Sequence, residues 1–214
     1  MPPYDKRLTT VTVLASPAPT SHPARNPARR AMIDSQLRTS GVNAPFVIAR
    51  MGAVERADFV PAAAKGLAYV DRAIRLDNGG WLAAPLVQGM MLQEAAPRGD
   101  ERAILVDGGS GYLAALFEPL VAELTVITPE EALGTGRKGK DADLLIVDGA
   151  AEELPAKLIA RLADDARIVT GIVDDGVTRL AVGRKTGTGA ALLAVHDMGI
   201  PRLAAFDKPK GWSF

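Results

Sequence analysis

Apolar positions along this chain follow three successive patterns, and each predicts a different layer of structure. Residues 26–38 predict a first helix. Asn26 can cap its free N–H groups, Pro27 fits the first turn without losing a bond, and Gly41 ends the segment. A second helix is expected from Asn43 and Pro45, because Val47, Met51 and Val54 recur at helical spacing. A third spans 86–96, with the Met90-Met91 pair assigned to core packing. From there short apolar runs alternate with helical ones. Strands are expected at 103–107, 124–128, 143–148 and 166–174, and helices begin at Ser110 and Glu152. That alternation predicts a parallel sheet covered on both faces. The tail changes to period two. Residues 177–185 and 190–196 flank Thr186-Gly-Thr-Gly189 as an antiparallel hairpin, and 206–214 read as a final aromatic-rich edge.

Composition narrows the chemistry. The 214 residues are 48% apolar, enough for one substantial core, so the α/β pattern describes a single domain over 27–214. Within it, 27–98 read as a helical cap and substrate-side segment, and 99–214 as the sheet. Residues 1–26, which include Pro17, Pro19 and Pro23, read as a disordered extension. Lys plus Arg equal Asp plus Glu at 25 each, which leaves no basic field for nucleic acid or for a membrane surface. No apolar run approaches the roughly 20 residues of a membrane span, and a cytoplasmic address is the default expectation. Cysteine is absent, removing disulfides, thiolate nucleophiles and Cys-based zinc sites. His22 and His196 are too few for a metal cluster, so no metal is expected.

The stretch with most chemical content is Arg102-Ala-Ile-Leu-Val-Asp-Gly-Gly-Ser-Gly-Tyr-Leu-Ala-Ala115. A short strand runs into a glycine turn and then a helix, an arrangement that lets backbone approach a ligand and aims unpaired N–H groups at it. The competing expectation is a tight turn with no ligand, in which Asp107 and Asp148 satisfy loop N–H groups. In parallel sheets ligands sit outside the carboxyl ends of the strands, where Asp107, Thr128 and Asp148 all fall.

Three upstream blocks make the pattern specific. Ala31-Met-Ile-Asp-Ser-Gln-Leu-Arg38, Glu55-Arg-Ala-Asp-Phe-Val-Pro61 and Ala68-Tyr-Val-Asp-Arg-Ala-Ile74 closely resemble the opening of protein-L-isoaspartate O-methyltransferases. The resemblance continues through the glycine turn and Leu144-Leu-Ile-Val-Asp-Gly-Ala-Ala151 into Arg167-Ile-Val169. It implies a Rossmann-like S-adenosylmethionine-dependent methyltransferase fold of α/β class, with an N-terminal helical cap and a shortened central sheet. It also implies a partner, a protein or peptide carrying an isoaspartyl or other carboxylate. By the same resemblance Asp107, Gly108, Gly109, Ser110, Gly111 and Thr128 border S-adenosylmethionine, and Trp81, Ala83 and Asp148 border the acceptor.

Several positions depart from the family pattern. Gly80-Trp-Leu-Ala-Ala-Pro85 carries Trp81 and Ala83 where the family has hydroxyl side chains. Leu105 replaces an acidic residue and Asp107 the first glycine of the turn. Thr128 stands where an acidic residue binds ribose, with Glu130 the nearest substitute. The interval from Thr128 to Asp143 is too short for the strand and adenine-pocket segment found in the family. Two functions therefore follow: methyl transfer to an isoaspartyl or other carboxylate through an altered site, or a catalytically inactive scaffold that binds a protein or small ligand. Trp81 reads as a plug of the acceptor pocket rather than a stacking platform.

Overall fold

Asn26 opens the first helix with its own side chain, whose oxygen accepts from the N–H groups of Ala28 and Arg29 at 3.1 and 3.3 Å. This is a computed structural model, and it describes residues 26–136 and 138–208. Of the expected disordered segment 1–26, residues 1–25 lie outside the described part, and Asn26 departs from the expectation by capping the first helix. Helix α1 (Pro27–Met32) widens into one π turn and tightens into a 3₁₀ turn before Gly41 stops it at φ +92°.

Helix α2 (Pro45–Ala53) follows, and its cap differs from expectation. Asn43 does not cap it. The N–H groups of Asn43 and Ala44 donate instead to Gln93 Oε1, at 3.0 and 3.1 Å, from helix α3 (Pro85–Ala95). That contact anchors the entry to α2, which has no side-chain cap of its own. Met90 and Met91 of α3 are both buried. Between α2 and α3 the chain makes two 3₁₀ turns, Arg56–Phe59 and Ala62–Leu67, and a short antiparallel pair, β1 (Ile74–Arg75) with β2 (Trp81–Leu82).

The main sheet has the order β4-β3-β5-β6-β7-β8. Strands β3 (Arg102–Val106), β4 (Glu123–Ile127), β5 (Ala142–Ala151) and β6 (Leu162–Asp174) run parallel. Strands β7 (Val177–Thr186) and β8 (Gly189–Asp197) finish it antiparallel. Alternation sorts the parallel strands' side chains onto two faces. Leu105, Leu144 and Ile146 join the helical cap and α3 in one core, while Ile104, Val106, Leu145 and Val147 form the other. The second core is closed by α5 (Pro129–Leu133), α6 (Ala156–Ile159) and the segment holding Leu203 and Phe206. No helix among the described residues is long and apolar enough to cross a membrane.

Several elements depart from their expected bounds. Helix α4 is only Tyr112–Phe117 and starts two residues after Ser110, because Gly111 turns at φ +70° to begin it. The helix expected from Glu152 begins at Ala156, since β5 continues to Ala151 and Pro155 sets the entry. Strands β6 and β7 also form a hairpin, through Asp175-Gly176 at φ +48° and +78°, which went unread. In place of a final edge strand, Phe206 is buried in a 3₁₀ turn; residues 209–214 lie outside the described part. As expected, no strand separates Thr128 from β5 among the described residues. After α5 a loop leads directly across to β5.

Candidate cofactor cleft

Strand β3 has β4 on one side and β5 on the other, so the chain reverses its direction of travel across the sheet there. Outside the carboxyl ends of these strands lies a cleft of about 630 Å³. Asp107, Gly108 and Gly109 line its floor, and Thr128 and Glu130 the β4 end. Arg75 and Trp81 line the hairpin side, and Arg202 and Leu203 the C-terminal segment. The last segment reaches the cleft because Ala150 N–H donates to Pro201 O and Leu203 N–H to Ala150 O, at 2.8 and 2.9 Å.

The glycine turn is packed against another piece of chain. Trp81 N–H donates to Gly108 O at 2.9 Å, and Asn78 Nδ2 donates to Gly109 O at 2.8 Å. A Cβ on Gly80 would lie 2.6 Å from Gly108 O, and one on Gly109 would lie 2.9 Å from the Gly80 Cα. Gly80 and Gly109 are therefore required for two backbones to meet.

Three N–H groups at the turn and helix start are paired within the chain. Gly109 N–H donates to Asp107 Oδ2 at 3.1 Å, Gly111 N–H to Asp107 Oδ1 at 2.9 Å, and Tyr112 N–H to Ser110 Oγ at 3.2 Å. Burial raises the Asp107 carboxyl above its ordinary range, against these backbone bonds. At the β4 end Thr128 is also engaged. Its hydroxyl accepts from Glu131 N–H at 3.2 Å and its own N–H donates to Glu131 Oε2 at 3.0 Å, a reciprocal capping box for α5. Glu130, beside it, is exposed to the cleft.

The residues named from sequence separate into two groups. Asp107, Gly108, Gly109, Thr128 and Trp81 border the cleft; Ser110, Gly111, Ala83 and Asp148 do not. Trp81 is half-buried at the cleft's side, with the Arg75 guanidinium 5.4 Å from its ring centre. That places it as a wall rather than a plug. Ala83 is buried, and its carbonyl accepts from Arg56 Nη2.

Asp148 lies at an irregularity in β5. The β5–β6 register slips between Val147 and Ala150, and Asp148, in the same alternation phase as Leu144 and Ile146, is buried. Its Oδ2 accepts from Gln88 Nε2 at 3.0 Å, and its Oδ1 has no hydrogen-bond partner among the described residues. Asp148 therefore does not satisfy loop N–H groups. Burial, then the charge of Asp107, push its pKa up to about 7, against the Gln88 bond and the charge of Arg56.

Sequence reading missed the other half of this polar chain. Arg56 is fully buried; Nε donates to Ala68 O at 2.7 Å and Nη1 to Gln88 Oε1 at 2.5 Å. Its guanidinium lies 4.8 Å from the Tyr112 ring centre, and burial lowers its pKa to about 10, leaving it charged at neutral pH. No local signal marks Arg56, which Glu55 and Asp58 flank; only Gln88 stands inside an otherwise apolar segment.

With this geometry in place, comparison with known proteins is decisive. The family model for protein-L-isoaspartate(D-aspartate) O-methyltransferase matches residues 28–133. A protein-L-isoaspartate O-methyltransferase 2 from Anaeromyxobacter sp. (strain Fw109-5) is 35% identical, covering 75% of this chain and 76% of its own. The chain belongs to the protein-L-isoaspartate O-methyltransferase family. An Aeropyrum pernix member of the family is 32% identical, over 76% of this chain and 73% of its own. Among solved structures, one from Plasmodium falciparum, described as a protein-L-isoaspartate O-methyltransferase in complex with S-adenosyl-L-homocysteine, aligns with TM-score 0.64. At 17% identity over 83% of this chain and 98% of that one, it shows the shared Rossmann-like fold. The family match ends at Leu133, the end of α5, where the short loop to β5 begins.

Proposed function

We propose that this chain is an S-adenosylmethionine-dependent carboxyl methyltransferase with a rebuilt site, acting on an isoaspartyl or other carboxylate of a protein or peptide. The observation that carries the reading is the cleft's position, outside the carboxyl ends of β3 and β4 where the strand order reverses, in a chain of this family. Its volume of about 630 Å³ suits a small-molecule ligand. The complex of the Plasmodium falciparum relative with S-adenosyl-L-homocysteine supports the same cofactor class.

The residues fit that ligand with one change of logic. The exposed Glu130 carboxylate can accept from ribose hydroxyls, while the turn N–H groups stay engaged by the Asp107 oxygens. When bound, the cofactor supplies an electrophilic methyl: an acceptor oxygen bonds to it as the C–S electron pair returns to sulfur. That displacement moves no proton, so the chain's task is placement and exclusion of water. Trp81, held by its N–H on Gly108 O, walls the cleft on the hairpin side. The loss of hydroxyls at 81 and 83 removes polar orientation of the acceptor without removing an essential nucleophile.

A second reading is favoured by the Asp107 geometry. Both turn N–H groups are spent within the chain, which suits a scaffold that binds a protein or small ligand without turnover. Labelled S-adenosylmethionine with an isoaspartyl peptide separates the two. The methyltransferase reading expects slow incorporation above background, reduced by Glu130→Gln. Saturable cofactor binding with no incorporation would favour the second reading, and absence of both would sink the first.

A further inference from the structure

We infer that Arg75, stacked on Trp81, is the group that holds the acceptor's carboxylate at the mouth of the cleft; the inference rests on the reading of the cleft given above. Arg75 and Trp81 are direct partners across the antiparallel β1–β2 pair, so their side chains leave the pair on one face. The guanidinium carbon lies 5.4 Å from the indole centre, within cation–π reach. Trp81 is itself fastened to the glycine turn through Gly108 O, and both side chains line the cleft. A flexible surface arginine has thereby become a fixed ledge.

Its charge is uncommitted. Among the described residues Arg75 has the Trp81 ring and no hydrogen-bond or ion-pair partner. The other arginine of the cleft, Arg202, is spent on Glu152 and Asp207 at 2.6 and 2.9 Å. The remaining charges lining the cleft, Asp107 and Glu130, are acidic and repel an anionic acceptor. Stacking covers one flat face of a guanidinium and leaves its in-plane N–H fork free, the geometry that engages a carboxylate. With one carboxylate oxygen held on that fork, the other is left to attack. Arginine and tryptophan together thus supply the orientation that hydroxyl side chains would otherwise provide, and they select an acidic acceptor over its amide.

Trp81 reports on its own ledge. The chain has two tryptophans, so Trp212→Phe isolates its emission. In that background an isoaspartyl peptide should change the emission saturably, and the same peptide with that carboxylate amidated should not. Arg75→Gln should weaken the peptide at least tenfold, Arg75→Lys should be intermediate, and neither should move the affinity for S-adenosylhomocysteine or the melting temperature. Equal peptide binding by Arg75→Gln, or none by the parent, would overturn the inference. So would a loss confined to S-adenosylhomocysteine, which would assign the ledge to the cofactor's own carboxylate. Carboxylate-selective peptide binding with neither cofactor binding nor methyl transfer would leave the ledge standing and remove the methyltransferase reading alone.

Discussion

Gln88 joins Arg56 to Asp148 through the two ends of one amide: its Oε1 accepts from the arginine at 2.5 Å and its Nε2 donates to the carboxyl at 3.0 Å. The link connects the helical cap, through α3, to the carboxyl end of β5. A cation and an acid are thus buried together without touching, and one oxygen of the acid has no hydrogen-bond partner among the described residues.

That arrangement makes stability depend on pH in a direction unusual for an aspartate. The folded Asp148 pKa, raised to about 7 by burial and by Asp107, lies above the ordinary value of 3.8. Between those values the native state holds a proton that the unfolded chain has released. Stability should therefore fall as pH rises from about 4 to about 7, by at most about 1.4 kcal/mol per unit from this group, and level off above. Asp148→Asn should flatten this dependence and stabilise the protein at pH 8 by a few kcal/mol, with little change at pH 4. Urea denaturation of both proteins at the two pH values checks it; equal midpoint shifts at pH 4 and 8 would refute it.

Arg56 should be the least replaceable side chain of the cap. Arg56→Met removes donors from Gln88, the Ala68 carbonyl and the Ala83 carbonyl together, and leaves them buried. A loss of about 3–5 kcal/mol is expected, by analogy with breaking a buried charged network. Arg56→Lys should recover little, because one ammonium cannot span three acceptors that a planar fork reaches. Chemical denaturation at neutral pH measures both, and near-wild-type stability of the lysine variant would show that charge alone suffices.

Regular structure was legible wherever a local signal and its tertiary partner agreed. Asn26, Pro27 and Gly41 mark the first helix in sequence and do so in the fold. The parallel sheet followed from runs such as Ile104, Leu105 and Val106, buried from both faces. Failures came where a distant group took over. Asn43 does not cap α2 but gives its N–H to Gln93, and Asp148, in the same alternation phase as Leu144 and Ile146, is buried against Gln88 rather than open at the strand end. The Arg56–Gln88–Asp148 chain was invisible because its members are far apart in sequence and each is an ordinary surface residue type. Gly108, Gly109 and Gly111 read as a ligand cradle or a tight turn, whereas Gly80 and Gly109 are needed because two chain segments cross there.

Asp107 should trade stability against anion binding. Its carboxylate holds the N–H groups of Gly109 and Gly111, which are the donors a ligand anion would use. Asp107→Ala frees both and removes a negative charge from the cleft floor. We expect a loss of about 1–3 kcal/mol in stability, from two charge-assisted bonds. S-adenosylhomocysteine binding should tighten about tenfold or more. Calorimetric titration beside thermal melts checks both halves, and a destabilised variant with unchanged affinity would show that the freed donors do not face the ligand.

The cofactor affinity of the unaltered chain should be low, and Glu130 should account for much of what remains. With Thr128 Oγ1 committed to the N–H of Glu131 and the turn N–H groups committed to Asp107, the contacts left to a nucleoside ligand are few. Each lost bond costs about 0.5–1.5 kcal/mol, so the dissociation constant for S-adenosylmethionine should fall near roughly 0.1–1 mM. Glu130 is exposed at the second position of α5, and Glu130→Gln should leave folding unchanged. If its carboxylate accepts from ribose hydroxyls, the substitution should weaken binding about tenfold, as expected for a hydrogen bond to a charged group. Calorimetry with both proteins at neutral pH decides the matter. Micromolar affinity in the parent would show that contacts not involving the turn compensate, and an unchanged constant in Glu130→Gln would move the ribose away from the β4 end of the cleft.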